Sequence, residues 1–151
     1  MKSTPDFIQV AIELAQPFTD VLVDILKQSD EQTKQPPSGL RLRLGDFPMA
    51  GCHGSSRLFC MMLNNRGIAT TVAMGVKGEQ NHYWLERDDW VIDLTPCQFA
   101  EFPFEAPYIS CEPTWHRSYW EEYSPDIGKV EVGGDAELLG EIELRLDRAS
   151  E

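Results

Sequence analysis

The hairpin segment 81–95 restricts the fold of this chain more than any other part. Its two halves, NHYWLE and WVIDLT, are rich in aromatic and β-branched residues, and an Asp-Asp pair stands between them. This pattern predicts two antiparallel strands joined by a tight turn. With Arg87 paired to Trp90, the alternation of side chains places His82 and Asp93 on one face as diagonal neighbours, with Cα atoms about 7–8 Å apart. A register shift of one residue would separate them.

Both faces of this hairpin are apolar enough to be covered by other elements. The first face carries His82 and Asp93 together with Trp84 and Val91. The residues of the second face are Tyr83, Leu85, Ile92 and Leu94. We expect a helix that begins at Cys52 to pack on the first face, because this arrangement would bring its first residue up to His82.

That helix is predicted to run from Cys52 to about Arg66. Its buried stripe consists of Leu58, Phe59, Met62 and Leu63. Gly67 suits the position after a helix C-terminus, where a left-handed conformation is common, and Ile68 supplies the hydrophobic contact that often follows. The apolar and β-branched run ATTVAMGV comes next and predicts a further strand.

The order of Cys52, His82 and Asp93 suggests an activated thiol. A helix N-terminus and a neighbouring imidazole both lower the pKa of a cysteine thiol, and a carboxylate orients the imidazole. We therefore assign Cys52 as the nucleophile, His82 as the base and acid, and Asp93 as the orienting group. The alternatives are a structural thiol, a histidine on a strand surface and an aspartate that ends a strand. The backbone N–H of Cys52 is a candidate oxyanion-hole donor.

Several other polar residues are candidates for the neighbourhood of this site. Asn81, Trp84 and Gln98 are predicted to form its wall and to bind substrate, with a core or hairpin role as an equal alternative. His53 is expected on the surface. His116, within TWHRSYW, is a candidate cleft residue for which packing is the favoured interpretation. The spacings typical of metal sites are missing, so no metal site is expected, and the Cys-His-Asp mechanism needs no organic cofactor.

The outer segments are interpreted from periodicity and turn residues. Residues 6–28 have helical periodicity, and Pro17 is expected to kink or split them into two helices, with a polar loop after them. The run LRLRLGDF at 40–47 is a candidate edge strand. The tail from Asp135 predicts a helix or, nearly as well, a terminal strand.

The segment 99–123 is rich in proline and aromatic residues. It holds eight aromatic residues and three prolines, which predict a packed loop with a short helix near residues 115–123. Because it follows the strand that carries Asp93, we expect it to pack over one side of the Cys52 cleft and to shape substrate access. The alternative is a loop that caps the core elsewhere.

Composition limits the class of protein. A chain of 151 residues suits one domain, and its net charge of −12 argues against a nucleic-acid partner. No apolar run approaches the roughly 18 residues of a membrane span, and the charged, proline-containing N-terminus argues against a signal peptide. A cytoplasmic location is therefore predicted, unless a dedicated secretion system exports the protein. The four cysteines lack a C-x-x-C pair and are expected to be free thiols. Nothing in the sequence indicates the oligomeric state.

The chain resembles the transglutaminase-like, papain-like group of cysteine enzymes. In that group, a helix with the nucleophilic cysteine at its start packs on an antiparallel sheet that supplies histidine and then aspartate. The chain also resembles uncharacterised bacterial proteins with the pattern FPxGC…HAWLE…IDxTxxQF. The matching residues are Phe47, Pro48, Gly51, Cys52, Ser56, Leu63, Gly67, Ile68, His82, Trp84, Leu85, Glu86, Ile92, Asp93, Thr95, Gln98 and Phe99. The departures from the pattern are His53, Tyr83 and Pro96-Cys97.

This resemblance implies an α+β fold in a single domain, 1–151, with the helix from Cys52 packed on a small antiparallel sheet. N-terminal helices at 6–28, a catalytic core at about 40–99, and an aromatic loop with a C-terminal element at 100–151 would be its parts. It further implies acyl transfer on an amide of a peptide or protein substrate through a Cys-His-Asp triad. Peptidase, deamidase and transglutaminase remain open as the activity. The alternative is a protein-binding module of the same fold that has lost turnover.

Overall fold

An antiparallel sheet forms the centre of this computed structural model, which describes residues 4–33, 52–95, 107–128 and 135–149. Within these ranges the strands are β1 (Thr71–Lys77), β2 (Gln80–Arg87), β3 (Trp90–Asp93), β4 (Tyr108–Ser110) and β5 (Glu122–Ser124). The helices are α1 (Asp6–Thr33), α2 (Cys52–Asn65), α3 (Thr114–Ser118) and α4 (Asp135–Ala149). The strand order is β4-β3-β2-β1-β5, with antiparallel neighbours. The predicted α+β class is confirmed.

The hairpin of β2 and β3 has the predicted register. Arg87 pairs with Trp90, and Leu85 pairs with Ile92. Asp88 has a positive φ of 53°, which aspartate tolerates better than most residues in a two-residue turn. The side chains of His82 and Asp93 therefore lie on the same side of the sheet, as the alternation predicts.

Helix α2 begins and ends where its sequence predicts. Cys52 is its first residue, and Gly67 follows it with φ at 80°. The N–H of Ile68 donates to the carbonyl of Leu63, and that of Gly67 donates to Asn64, which is the hydrogen-bond pattern of a Schellman motif. Ile68 is buried, so it makes the expected apolar contact after the helix end.

Helix α2 covers the side of the sheet opposite to the predicted one. Its buried stripe belongs to one apolar cluster with Leu85 and Ile92, which also includes residues of α1 and α4. We call this side the helix-covered face. The other side, with His82, Trp84 and Asp93, is the aromatic-covered face, because its apolar cluster contains aromatic residues of the 108–123 segment. The prediction that α2 packs against His82 and Asp93 is wrong: an aliphatic stripe suits an aliphatic face, whereas buried charged groups need polar partners.

Helix α1 continues through Pro17. The prediction of two helices is wrong, because a single helix extends from Asp6 to Thr33 and includes the first part of the predicted polar loop. Proline within a helix costs about 3 kcal/mol. Phe18 and Leu22 are completely buried beyond it, and the resulting apolar contacts offset that cost. Gln28, near the end of α1, also contacts α4, because its side-chain oxygen accepts a 2.7 Å hydrogen bond from Arg145.

The tail forms helix α4, so the helical interpretation is confirmed and the strand alternative is wrong. Its buried residues include Leu139, Ile142 and Leu146, at helical spacing. A buried ion pair joins it to α2, with Arg57 Nε 2.6 Å and Nη2 3.2 Å from the two carboxylate oxygens of Asp135. This paired geometry attaches the first residue of α4 to the central helix.

Strands β4 and β5 lie in the segment predicted as an aromatic loop. They pair with β3 and β1, so the sheet extends beyond the predicted core of about 40–99. The edge strand predicted at 40–47 lies outside the described residues. No described helix has both the length and the apolar character required to cross a membrane.

Candidate active site

His82 and Asp93 meet on the aromatic-covered face. His82 lies near the start of β2, and Asp93 is the last residue of β3. His82 Nε2 is 2.7 Å from Asp93 Oδ2, and both side chains are completely buried. The predicted proximity of these two residues is therefore confirmed, and it follows from the register of the hairpin.

A second histidine contacts the same carboxylate oxygen. His116 of α3 places its Nε2 at 2.7 Å from Asp93 Oδ2, and it is also completely buried. The other oxygen, Oδ1, accepts a 3.0 Å hydrogen bond from the backbone N–H of Thr95. Packing was the favoured sequence interpretation of His116, and its contact with Asp93 was missed. The available signal was a histidine within a short aromatic-rich helix that follows the Asp93 strand.

The charge on Asp93 is set by these neighbours. Burial by itself raises the pKa of Asp93, but the charge of His82, hydrogen bonds from His116 and His82, and the charge of His116 outweigh it, so the pKa lies well below its ordinary value. An ionised carboxylate only accepts hydrogen bonds, so each histidine must carry a proton on Nε2. Proton exchange at His82 would therefore use Nδ1.

Aromatic rings enclose this polar group. The ring centroid of His82 lies 5.7 Å from that of Trp84 and 6.0 Å from that of Trp120. Trp120 can approach because Gly75 has no side chain: a Cβ there would lie 2.2 Å from Trp120 Cγ. The described part of the aromatic segment thus covers the face that carries His82 and Asp93. Its position over the Cys52 cleft stays a prediction.

Glu86 forms a second buried polar group on the same face. Its carboxylate accepts hydrogen bonds from Trp84 Nε1 at 2.8 Å and from the Tyr123 hydroxyl at 2.5 Å, and Arg117 Nη2 lies 3.3 Å away. Burial, together with the hydrogen bond to Glu86 and its charge, raises the pKa of Tyr123 to about 12, against an opposing effect of Arg117. Arg117 and Tyr123 were missed by the sequence analysis. They connect α3 and β5 to Glu86 of β2, and so hold the aromatic cover in place.

The first turn of α2 lies next to the start of β2. The ring of His53 stacks on that of Tyr83 at a centroid distance of 4.1 Å, and the Ser56 hydroxyl donates to the Tyr83 carbonyl at 3.3 Å. His53 is partly exposed, so it is less open to solvent than the predicted surface position implies. Burial and the charge of Arg57 lower the pKa of His53, against a smaller effect of Asp135. Cys52 begins this turn, and the distance from its sulfur to His82 stays a prediction.

The predicted wall residues have different positions. Trp84 is completely buried, and its Nε1 donates a hydrogen bond to Glu86. A substrate therefore does not contact Trp84 in this conformation. Asn81 is exposed near the start of β2 and pairs with Val76. Gln98 lies outside the described residues. Two cavities of about 630 and 310 Å³ occur in the described part of the chain. The larger is lined by Glu86, Arg117 and Tyr123 among others, and neither is lined by His82 or Asp93.

His82, Asp93 and His116 also have the donor types of a metal site. Their ligand atoms all lie within 4.8 Å of one another. Ligands about 2.0–2.1 Å from a tetrahedral zinc ion would be roughly 3.3 Å apart. Each histidine nitrogen here is 2.7 Å from the carboxylate oxygen, which is a hydrogen-bond distance. The arrangement therefore favours a hydrogen-bonded carboxylate over a ligand set spread around an ion.

The thiols also differ in position. Among the described residues, Cys60 is a buried thiol and Cys111 is an exposed one. Neither forms a disulfide, as expected, and Cys97 lies outside the described residues. Comparisons with models of protein families, with curated proteins and with solved structures found no match to this chain.

Proposed function

We propose that this protein is a cysteine-dependent acyl-transfer enzyme, with Cys52 as nucleophile, His82 as base and acid, and Asp93 as the orienting carboxylate. The single observation that carries the proposal is the 2.7 Å hydrogen bond between His82 Nε2 and Asp93 Oδ2. It holds the imidazole in one orientation and keeps the proton on Nε2, so that Nδ1 accepts the thiol proton.

The start of α2 lies beside the strand that carries His82, since residues of its first turns contact Tyr83, the next residue of β2. Tyr83 belongs to the helix-covered face, so the Cys52 thiol would have to meet the His82 imidazole around the end of the sheet where β2 begins. Cys52 is also the first residue of a 14-residue helix, where unpaired backbone N–H groups and the helix dipole favour a thiolate. A nearby imidazolium lowers the thiol pKa further.

The proposed reaction proceeds in two steps, acylation of Cys52 and release of the acyl group. The Cys52 thiol gives its proton to His82 Nδ1, and the thiolate attacks an amide carbonyl carbon. The C–N bond breaks as His82 returns the proton to the leaving amine, which leaves a thioester on Cys52. Water or an amine then gives a proton to His82 Nδ1 and attacks the thioester carbonyl carbon. The C–S bond breaks, the carboxylic acid or new amide is released, and His82 returns the proton to the Cys52 sulfur. The negative charge of Asp93 stabilises the imidazolium in both steps.

The substrate class and the finer fold belong to the same proposal. An α2 helix with Cys52 at its start, packed on an antiparallel sheet, supports a papain-like or transglutaminase-like core. The substrate would be an amide of a peptide or protein, in a peptidase, deamidase or transglutaminase reaction. These three reactions use the same triad and differ in the leaving amine and in the group that resolves the thioester.

One observation favours a second function, a protein-binding module without turnover. His82 and Asp93 are both completely buried beneath aromatic rings, so a substrate would reach them only if that cover moved. A buried Asp-His group also serves well as a structural polar core.

Alkylation of the thiols separates the two functions. At pH 6.5, iodoacetamide should modify Cys52 about tenfold faster than the exposed Cys111, because only an activated cysteine is largely thiolate there. The substitution His82→Ala should remove most of this advantage, while labelling of Cys111 stays unchanged. Mass spectrometry of peptides from a time course gives each rate within one sample.

Equal rates for Cys52 and Cys111, or a fast Cys52 that is indifferent to His82→Ala, would reject the catalytic proposal and leave the binding module. If the thiol is activated, a proteome incubated with the wild-type protein or with Cys52→Ala then identifies the reaction. New peptide termini, deamidated glutamines or new amide cross-links would each appear with the wild type alone.

A further inference from the structure

We infer that His116 is a positioning residue of this site, which holds the Asp93 carboxylate in place for His82 by donating a second hydrogen bond to Oδ2. This inference rests on the proposed function and deepens it. It assigns His116 a role that packing alone does not explain, since its Nε2 points at the oxygen that His82 uses.

The hydrogen bonds around Asp93 come from different elements. His82 belongs to β2 and His116 to α3, and both bind Oδ2, whereas the backbone of Thr95 binds Oδ1. Asp93 is completely buried, so its carboxylate depends on hydrogen-bond donors from the protein. If one of these donors is removed, a water molecule can take its place only where there is a cavity to hold it. Without His116, Oδ2 would keep the His82 donor as its partner among these three, and the carboxylate would rotate more freely.

The ring of His116 is itself held by its neighbours. It lies 5.5 Å from the Tyr108 ring at an interplanar angle of 15°, and 5.0 Å from the rings of Trp84 and Trp115 in edge-on contacts. These contacts limit the rotation of the imidazole about its side-chain bonds. A fixed donor is what a positioning role requires, since a mobile ring would not hold Oδ2 in one direction.

The hydrogen bond from His116 to Asp93 matters most when His82 is charged. During the proposed reaction, His82 becomes an imidazolium, and Asp93 must remain ionised and aligned with Nε2 to stabilise it. His116 supports both conditions, since its N–H favours the ionised carboxylate. The described titratable groups on this face include Lys77 of β1, His82 and Glu86 of β2, Asp93 of β3, Tyr108 of β4, His116 and Arg117 of α3, Tyr119 after α3, and Tyr123 of β5.

Two matched substitutions test the donor. His116→Gln retains an N–H near the position of Nε2, whereas His116→Phe retains an aromatic ring and removes the donor. The alkylation rate of Cys52 is measured from pH 4 to pH 8, with Cys111 as the reference. In His116→Phe we expect the acid limb of this profile to move to higher pH by about one unit, so that the rate at the wild-type half-maximum falls about fivefold. His116→Gln should stay close to the wild type.

A second measurement does not depend on the thiol. The Nε2 proton of His82 in its hydrogen bond to Asp93 should give a downfield proton resonance in wild type and in His116→Gln. In His116→Phe we expect it to move upfield or to be lost through exchange. Thermal unfolding of the three proteins records any general loss of stability.

The outcomes are distinct. If His116→Phe lowers only the melting temperature and leaves both the pH profile and the His82 resonance unchanged, His116 is a packing residue and the inference is overturned. If the His82 resonance responds to His116→Phe while Cys52 never reacts faster than Cys111, His116 positions Asp93 and the proposed enzyme function fails instead.

Discussion

The two faces of the sheet are built from different chemistry. The helix-covered face packs Leu85 and Ile92 against aliphatic and aromatic residues of three helices. The aromatic-covered face buries His82, Glu86 and Asp93 under a segment that supplies polar partners for Glu86 and Asp93. On the first face, each contact adds apolar burial. On the second face, burial is unfavourable unless every hydrogen bond is made.

This difference separates stability from chemistry. Apolar packing tolerates small shifts, since several neighbours contact each side chain. The polar groups depend on single donors at distances such as the 2.7 Å of the two histidines. We therefore expect substitutions on the helix-covered face to change mainly the free energy of unfolding, and substitutions on the aromatic-covered face to change mainly the reactivity of the site.

The largest effect on stability is expected from Phe59→Ala. Phe59 is completely buried in α2, and its ring centroid lies 4.9 Å from that of Phe18. The resulting cavity should lower the free energy of unfolding by about 3–5 kcal/mol, as measured by urea denaturation. The control Leu144→Ala, at an exposed position of α4, should change it by less than about 0.5 kcal/mol. A selective loss of Cys52 reactivity in folded Phe59→Ala would break the separation between the two faces.

A smaller effect is expected from Gly75→Ala. The new methyl group would lie 2.2 Å from Trp120 Cγ, so the aromatic cover must shift. This overpacking should cost about 1–3 kcal/mol and should also change the alkylation rate of Cys52. Gly140→Ala is the matched control, because its methyl group meets no atom within 4 Å and alanine favours the helix. If Gly75→Ala destabilised the fold without any change at Cys52, the cover would not control the site.

The pH dependence of stability should distinguish Asp93 from the apolar core. Its pKa is lowered in the folded state, so its charge stabilises the fold above the ordinary aspartate pKa of about 3.9, and this contribution is lost as the pH falls below that value. The advantage of wild type over Asp93→Asn should therefore shrink below about pH 4, by up to about 1.4 kcal/mol per pH unit. Urea denaturation from pH 7 to pH 3 measures both proteins. An advantage that stays constant over this range would show that the charge of Asp93 is not stabilised by its neighbours.

Much of the local structure could be predicted because its signals are short-range. The alternation around the Asp88 turn fixes the hairpin register, and hence the shared side of His82 and Asp93. Gly67 and Ile68 fix the end of α2, since their hydrogen bonds close within six residues. The prediction that Pro17 would split α1 is wrong, because buried residues on both sides of Pro17 pack into the core of the folded protein and stabilise one continuous helix.

The sequence by itself determined which residues share a side of the hairpin and where α2 begins and ends, because neighbours along the chain decide both. Only the tertiary structure decided that α2 covers the Leu85 side and that His116, 23 residues from Asp93 in the chain, reaches its carboxylate. Periodicity tells which side chains lie together, but it does not tell which distant element covers them. That choice depends on matching apolar surfaces and on satisfying buried charges across the whole fold.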